Sequence, residues 1–294
     1  MAQALIEKPN NLKVVLLSLD HWQVNPEVFS SATADPGFRV RMQGSFISII
    51  KYKLKEILDS VVFGPLRLVF QHRLGLKEIR SIFCACDDGG RTTNFGLAAL
   101  LDGSGVDVEG SYHYTWAFEM RKNIVGFSET FNRIENSTNG FQYASKISLD
   151  RFGLVVEAIK ILNDAGVQVI LMIPPMAPAV VRKMRETNAY GIIEDLDLHL
   201  RRLNSPFFNF HDPEVVGSDD CEFADGFHGG EVTYLRLLKH MATEKQTNLE
   251  GYVDITKIDQ MIRDSAGRIN AYKIPKSGDR SRKEVDFLGL GCKR

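Results

Sequence analysis

The chain has 294 residues, of which 44% are hydrophobic and 25% are charged, and its formal net charge is -1. This length and composition are typical of a globular protein with a sizeable core, and we expect one large α/β domain with additions. A nearly neutral chain creates no large field of one sign, which argues against nucleic acid as a partner, and no run reaches the roughly 18 apolar residues of a membrane span.

Short apolar runs and helical periods alternate along the first half. The run 14–19 is almost entirely apolar and ends at Asp20, which predicts a buried parallel strand. A helical period predicts a helix between 46 and 63, and another apolar run covers 79–85. Between 86 and 147 no period is sustained, so we expect a long irregular insertion there.

The second half has the most regular pattern. Ser148 is suited to cap a helix of apolar period, and Gly166 is suited to end it. A strand, a helix, a strand and a helix are then predicted at about 167–173, 180–203, 206–212 and 231–241. The predicted fold class is therefore α/β, with a doubly wound, mainly parallel sheet flanked by helices in three layers. Functional residues should lie at the carboxyl ends of its strands.

Composition also sets the expected domain boundaries. Residues 1–264 are predicted to form one α/β domain that includes the insertion at about 86–147. The segment 265–294 becomes polar and basic, which predicts a flexible C-terminal tail.

Neither the cysteines nor the N-terminal residues indicate the cellular compartment of the protein. Cys84, Cys86, Cys221 and Cys292 are too few for a disulfide scaffold, and we expect thiols packed in or near a core. The first 13 residues lack a signal-peptide pattern, so the chain is predicted to be soluble as written, with its localisation unknown.

Asp225 and His228 form the clearest chemical pattern in the sequence. They lie three residues apart, and Gly226, Gly229 and Gly230 allow the backbone to make a tight turn before the last helix. A carboxylate beside an imidazole fixes the tautomer and leaves the other ring nitrogen to take a proton from a nucleophile. The alternative is structural, because such a pair also occurs by chance and ties a loop to a helix.

The order of motifs resembles the C-terminal half of SGNH (GDSL-like) hydrolases. The matching stretches are VILMIPPMAP at 169–178, FHDP at 210–213 and ADGFHGG at 224–230. The branch most similar contains the alginate O-acetyltransferases and the D-alanyl transfer protein of teichoic acid synthesis. The resemblance covers about 14–241 and is dense only after Ser148.

The resemblance implies an ester hydrolase or O-acyltransferase-type protein. His228 would be the general base and then acid, and Asp225 would orient it. The implied partner is an acylated carbohydrate or a small ester, and neither a cofactor nor a metal is implied.

The front of the chain departs from the family pattern. Family members carry a Gly-Asp-Ser or Gly-Ser-Ser nucleophile after their first strand, whereas residues 17–26 resemble the strand and turn of a later block. In that block Asp20 and Asn25 would bind substrate. Two explanations remain open: an N-terminally shortened member without the serine, or a member that has lost catalysis.

Other serines are poor substitutes for the missing nucleophile. Ser45, Ser104 and Ser111 each follow glycine, but none comes between an apolar strand and a helix, and a turn role is expected for each. Ser111 is the best placed, and with its neighbour His113 it is predicted to face substrate.

Two other functions stay open. The first is a non-catalytic member of the same fold that binds a glycan or a protein in the cleft near Asp20, Asp225 and His228. The second is an aspartate-dependent phosphatase with Asp20 as nucleophile. The phosphatase is less favoured because Trp22 stands where a second carboxylate would help bind magnesium.

Overall fold

The computed structural model describes residues 12–28, 105–106, 112–113, 125–269, 271, 286 and 288–292. The chain divides into two compact units, one formed by 1–30 with 123–294 and the other by 31–122. The helix predicted between 46 and 63 and the apolar run at 79–85 lie outside the described residues.

Short strands and helices make up the described residues. The strands are β1 (Val14–Ser18), β2 (Gly105–Val106), β3 (Tyr112–His113), β4 (Gln168–Ile173) and β5 (Phe207–Asn209). The helices are α1 (His21–Val24), α2 (Ser128–Glu135), α3 (Leu149–Asp164), α4 (Pro178–Thr187), α5 (Ile192–Leu200), α6 (Glu231–Thr243) and α7 (Ile255–Ser265). No helix among these residues is long and apolar enough to cross a bilayer.

The first unit is built on a parallel sheet in the order β1-β4-β5. Ser18 pairs with Met172, and Ile173 pairs with Asn209, so the carboxyl ends of the three strands meet at one edge. The predicted mixed α/β class with parallel strands is therefore confirmed. In the second unit, β2 and β3 pair antiparallel.

Both faces of the sheet are covered. Val169, Leu171 and Ile173 of β4 lie in one core cluster, together with residues of α3, α4 and α5. Ile170 and Phe208 lie in a second cluster with residues of α6. Successive side chains of a strand point to opposite faces, so β4 is covered on both sides, as its continuous apolar sequence predicts.

Several predicted elements are confirmed, and two are corrected. The α3 helix begins after Ser148, and Gly166 adopts a left-handed φ of 76° just beyond it. The single helix predicted over about 180–203 was wrong, because Asn188 takes a left-handed φ of 52° and separates α4 from α5. Residues 185–188 are all polar, and Asn188 is a residue type that often ends a helix, so the sequence did carry a signal for this break. The irregular stretch at 86–147 contains α2, a helix too short to show a clear period.

A disulfide holds the C-terminal segment against the rest of the first unit. Cys221 and Cys292 are bonded across a sequence separation of 71 residues, which corrects the expectation that these two are thiols. Leu288 is buried, and its carbonyl accepts a hydrogen bond from the Gly126 N–H at 2.7 Å. Residues 288–292 of the predicted tail are thus packed and cross-linked. Cys84 and Cys86 lie outside the described residues.

Removing this disulfide is expected to destabilise the protein. The double variant Cys221→Ser with Cys292→Ser should lose about 2–4 kcal/mol of unfolding free energy, because the cross-link restricts the unfolded chain. Urea unfolding of the oxidised wild type and the variant measures this loss. A reductant should lower the wild-type midpoint and leave the variant unchanged; equal wild-type midpoints with and without reductant would contradict the bond.

Candidate functional site

A hydrogen-bonded carboxylate and imidazole lie in the turn before α6. Asp225 Oδ2 is 2.7 Å from His228 Nδ1, and Asp225 Oδ1 accepts the backbone N–H groups of His228 at 2.9 Å and Phe227 at 3.2 Å. The side chain of Asp225 is 13% exposed and that of His228 is 45% exposed. The carboxylate is therefore enclosed, and the imidazole reaches the surface. This is the arrangement that the spacing predicted.

The backbone conformation of this turn requires glycine at position 226. Gly226 has a φ of 97°, and a Cβ on it would lie 2.7 Å from Val180 Cγ2, so only glycine fits. The Ala224 N–H donates to the His228 carbonyl at 2.9 Å and closes the turn. The distance between Asp225 and His228 is thus set by the backbone.

Neighbouring elements hold the turn from both sides. Thr130 of α2 is buried, and its hydroxyl donates to the Asp225 carbonyl at 2.7 Å. The Ala177 N–H, just after β4, donates to the Gly226 carbonyl at 2.8 Å. These two bonds fix the turn near the carboxyl end of β4. No sequence pattern pointed to Thr130, since its partner lies 95 residues away.

The hydrogen bonds of the turn also control the charge of Asp225. Burial alone would raise the pKa of Asp225. The hydrogen bond from the His228 ring, the positive charge of that ring and the two backbone N–H groups outweigh burial and hold the pKa below its ordinary value. Asp225 therefore remains an anion that orients and stabilises a protonated His228.

Asp20 lies at the same edge of the sheet. It follows β1, where the Leu19 N–H donates to the Met172 carbonyl of β4 at 2.9 Å. The Trp22 side chain lies near its carboxylate. Burial raises the pKa of Asp20 to about 6, while the charge of His228 and the Trp22 side chain act in the opposite direction. Asp20 and His228 are thus close enough to interact electrostatically.

Aromatic contacts join the two segments that carry these groups. The Phe141 ring centroid is 6.0 Å from that of His21, the neighbour of Asp20, and 5.8 Å from that of Phe227, the neighbour of His228. Phe141 is buried. One apolar ring therefore packs between the β1–α1 junction and the turn, although sequence spacing did not single it out.

The other predicted site residues have different positions. Asn25 is fully buried, its amide donates to the Gln142 carbonyl at 2.7 Å, and its oxygen accepts from the Glu27 N–H at 2.8 Å. It ties loops together and has no exposed surface to offer a substrate. Ser111 and the side chain of His113 lie outside the described residues, so their roles stay predictions, and Ser45 and Ser104 also lie outside them.

His21 is a buried histidine beside the site. Burial, together with nearby His211, lowers the pKa of His21 to about 3, although a hydrogen bond to the Gly140 backbone opposes this shift. The ring is therefore neutral at physiological pH. Its Nε2 has no hydrogen-bond partner among the described residues. His21 is thus a neutral, buried residue that packs against Phe141 and Tyr190.

A separate groove lies along α4 and α5. Its volume is about 1040 Å³, and its lining includes Arg185, Tyr190, Arg201, Asn209 and His211. Asp20, Asp225 and His228 do not line it. The groove has polar groups at several points and is distinct from the turn.

Neither metal ligation nor similarity to a known protein explains the site. Within the part of the chain that the structure describes, no group of three or more histidine, cysteine, aspartate or glutamate side chains is arranged to hold a metal ion. No family model, curated protein or solved structure matches the chain.

Proposed function

We propose that this protein is an SGNH-type ester hydrolase or O-acyltransferase that acts on acylated carbohydrate. The observation that carries the proposal is the enclosed Asp225 carboxylate bonded to the exposed His228 imidazole. This pair provides a general base whose tautomer and orientation are fixed before substrate arrives. The sequence resemblance supplies the substrate class.

The fold supports the proposal. Helices cover both faces of a parallel sheet, and the site lies near the carboxyl ends of β1 and β4. Ligands bind at that edge in open α/β sheets. We therefore propose a doubly wound, three-layer arrangement of the SGNH kind for the domain.

The chemistry follows from the roles of the two side chains. With Nδ1 engaged by Asp225, the Nε2 of His228 is the nitrogen that accepts a proton from an attacking hydroxyl group. The Asp225 anion then stabilises the imidazolium that forms. Acyl transfer to water gives hydrolysis, and acyl transfer to a sugar hydroxyl gives O-acyltransferase activity.

Acetate release from acetylated oligosaccharides tests the proposal. The purified full chain should release acetate enzymatically, and adding a carbohydrate acceptor should divert acetyl groups to that acceptor if transfer occurs. Mass spectrometry of the sugars distinguishes the two reactions. If acetylated sugars, simple acetate esters and activated acetate esters all remain intact, the proposal is wrong.

The second function is glycan binding without turnover, and the groove along α4 and α5 favours it. Arg185 and Arg201 line it and are 65% and 60% exposed, and each guanidinium has five N–H donors, so donors remain for carbohydrate hydroxyls beyond the bonds to Asp212 and Asp197. Retention on a glycan array, unaffected by Asp225→Asn and without loss of acyl groups, would support binding over catalysis.

A further inference from the structure

The geometry points to Asp20 as the general acid that protonates the leaving group while His228 activates a water molecule. The assignment deepens the proposed function and rests on it. It describes an ester hydrolysis that needs no serine nucleophile.

Position is the first reason. Asp20 ends the strand that pairs with β4, and the turn with His228 is bonded to the segment that follows β4. Both groups therefore lie at one edge of the sheet. The Phe141 ring packs between their sequence neighbours His21 and Phe227, which keeps the two segments in a fixed relation.

The surroundings are the second reason. Asp20 lies near the Trp22 side chain, interacts with the charge of His228 and is flanked in sequence by the neutral ring of His21. Asp225 lies behind His228 and is bonded to it. Burial raises the pKa of Asp20 to about 6, whereas the pKa of Asp225 is held low. Carboxyl groups with pKa values pushed apart by their environments are suited to different roles.

The proton transfers balance without another reagent. His228 Nε2 takes a proton from water as the water oxygen bonds to the acyl carbon. The bond from that carbon to the alcohol oxygen then breaks, its electron pair stays on the alcohol oxygen, and this oxygen takes the proton of Asp20. The proton on His228 finally returns to Asp20 through solvent, and the net products are a carboxylic acid and an alcohol.

Two acetate esters with different leaving groups test the assignment. A nitrophenolate leaves without a proton, whereas a sugar alkoxide needs one. Asp20→Asn should therefore lower kcat/KM for an acetylated methyl glucoside by about 10²-fold or more, and for nitrophenyl acetate by only a few-fold. Asp20→Glu retains a carboxyl group and should recover part of the activity on the sugar ester.

The pH profile gives an independent measurement. The acid form of Asp20 is present below its pKa, so the sugar-ester rate should fall as pH rises through about 6. Trp22→Phe removes the indole N–H, and the Trp22 side chain favours the ionised carboxylate, so the pKa should rise and this fall should move to higher pH. The fall should be absent for nitrophenyl acetate.

Several results would overturn the assignment. Equal losses on both esters in Asp20→Asn would mean that Asp20 acts through His228 or the fold, and an unchanged sugar-ester rate would exclude it altogether. If Asp20→Asn does not fold, an unmoved pH profile in Trp22→Phe overturns it instead. An acetyl group trapped on a serine would show that a serine, and not water, is the nucleophile. This result would refute the assignment of Asp20 but leave the proposed function standing. No turnover of either ester by the wild type would overturn the proposed function as well.

Discussion

Replacing His228 by alanine is expected to lower kcat/KM for ester hydrolysis by about 10²–10⁴-fold, the usual contribution of a general base. The imidazole is the exposed member of the pair, and its Nδ1 is already bonded to Asp225. Asp225→Asn should also be strongly impaired, because an amide neither fixes the same tautomer nor stabilises the imidazolium. Initial rates on both acetate esters measure these losses.

The double variant gives a sharper result than either single one. If the two side chains act as a unit, His228→Ala with Asp225→Asn should be no slower than His228→Ala alone. His240→Ala is the matched control, because this exposed histidine of α6 packs on Phe208 and Phe210 away from the turn. Multiplicative losses, or an equal loss in His240→Ala, would contradict a working dyad.

Local patterns explain which parts of the site were predictable. The Asp225–His228 pair is set by a four-residue turn, so its spacing and glycines were sufficient to predict the contact. Asp20 at the sheet edge followed from a general rule, since parallel strands present their carboxyl ends together. The interaction between Asp20 and His228 followed because the end of β1 and the turn at 225–228 both reach that edge.

Long-range contacts explain the parts that were missed. Thr130 bonds to the turn across 95 residues, and Cys221 bonds to Cys292 across 71. No spacing rule relates such partners, because the fold alone brings them together. The break between α4 and α5 was missed for a different reason: residues 185–188 are all polar and Asn188 is a residue type that ends helices, but this local signal was not recognised.

A buried ion pair is a further feature without a sequence signal, and it supports the loop that leads into the site. Glu222 is 0% exposed and bonds Arg236 of α6 through both carboxylate oxygens. Ser218 and the Gly267 N–H also donate to that carboxylate. Every oxygen is thus engaged, which is the condition under which a buried charge is tolerated. The Glu222 carbonyl accepts from Gly230 at 2.7 Å and so holds the far end of the turn.

Glu222→Ala is therefore expected to lower the free energy of unfolding by about 3–5 kcal/mol, because Arg236 would keep a largely buried charge without its partner. Urea unfolding measures the loss. Glu214→Ala is the control: Glu214 and Arg182 are 3.7 Å apart and both more than half exposed, so its effect should be at most about 1 kcal/mol. Glu222→Gln keeps the shape of the side chain but not its charge, so its loss should fall between the two. Similar losses in Glu222→Ala and Glu214→Ala would mean that the turn is held chiefly by Thr130 and Ala177 instead.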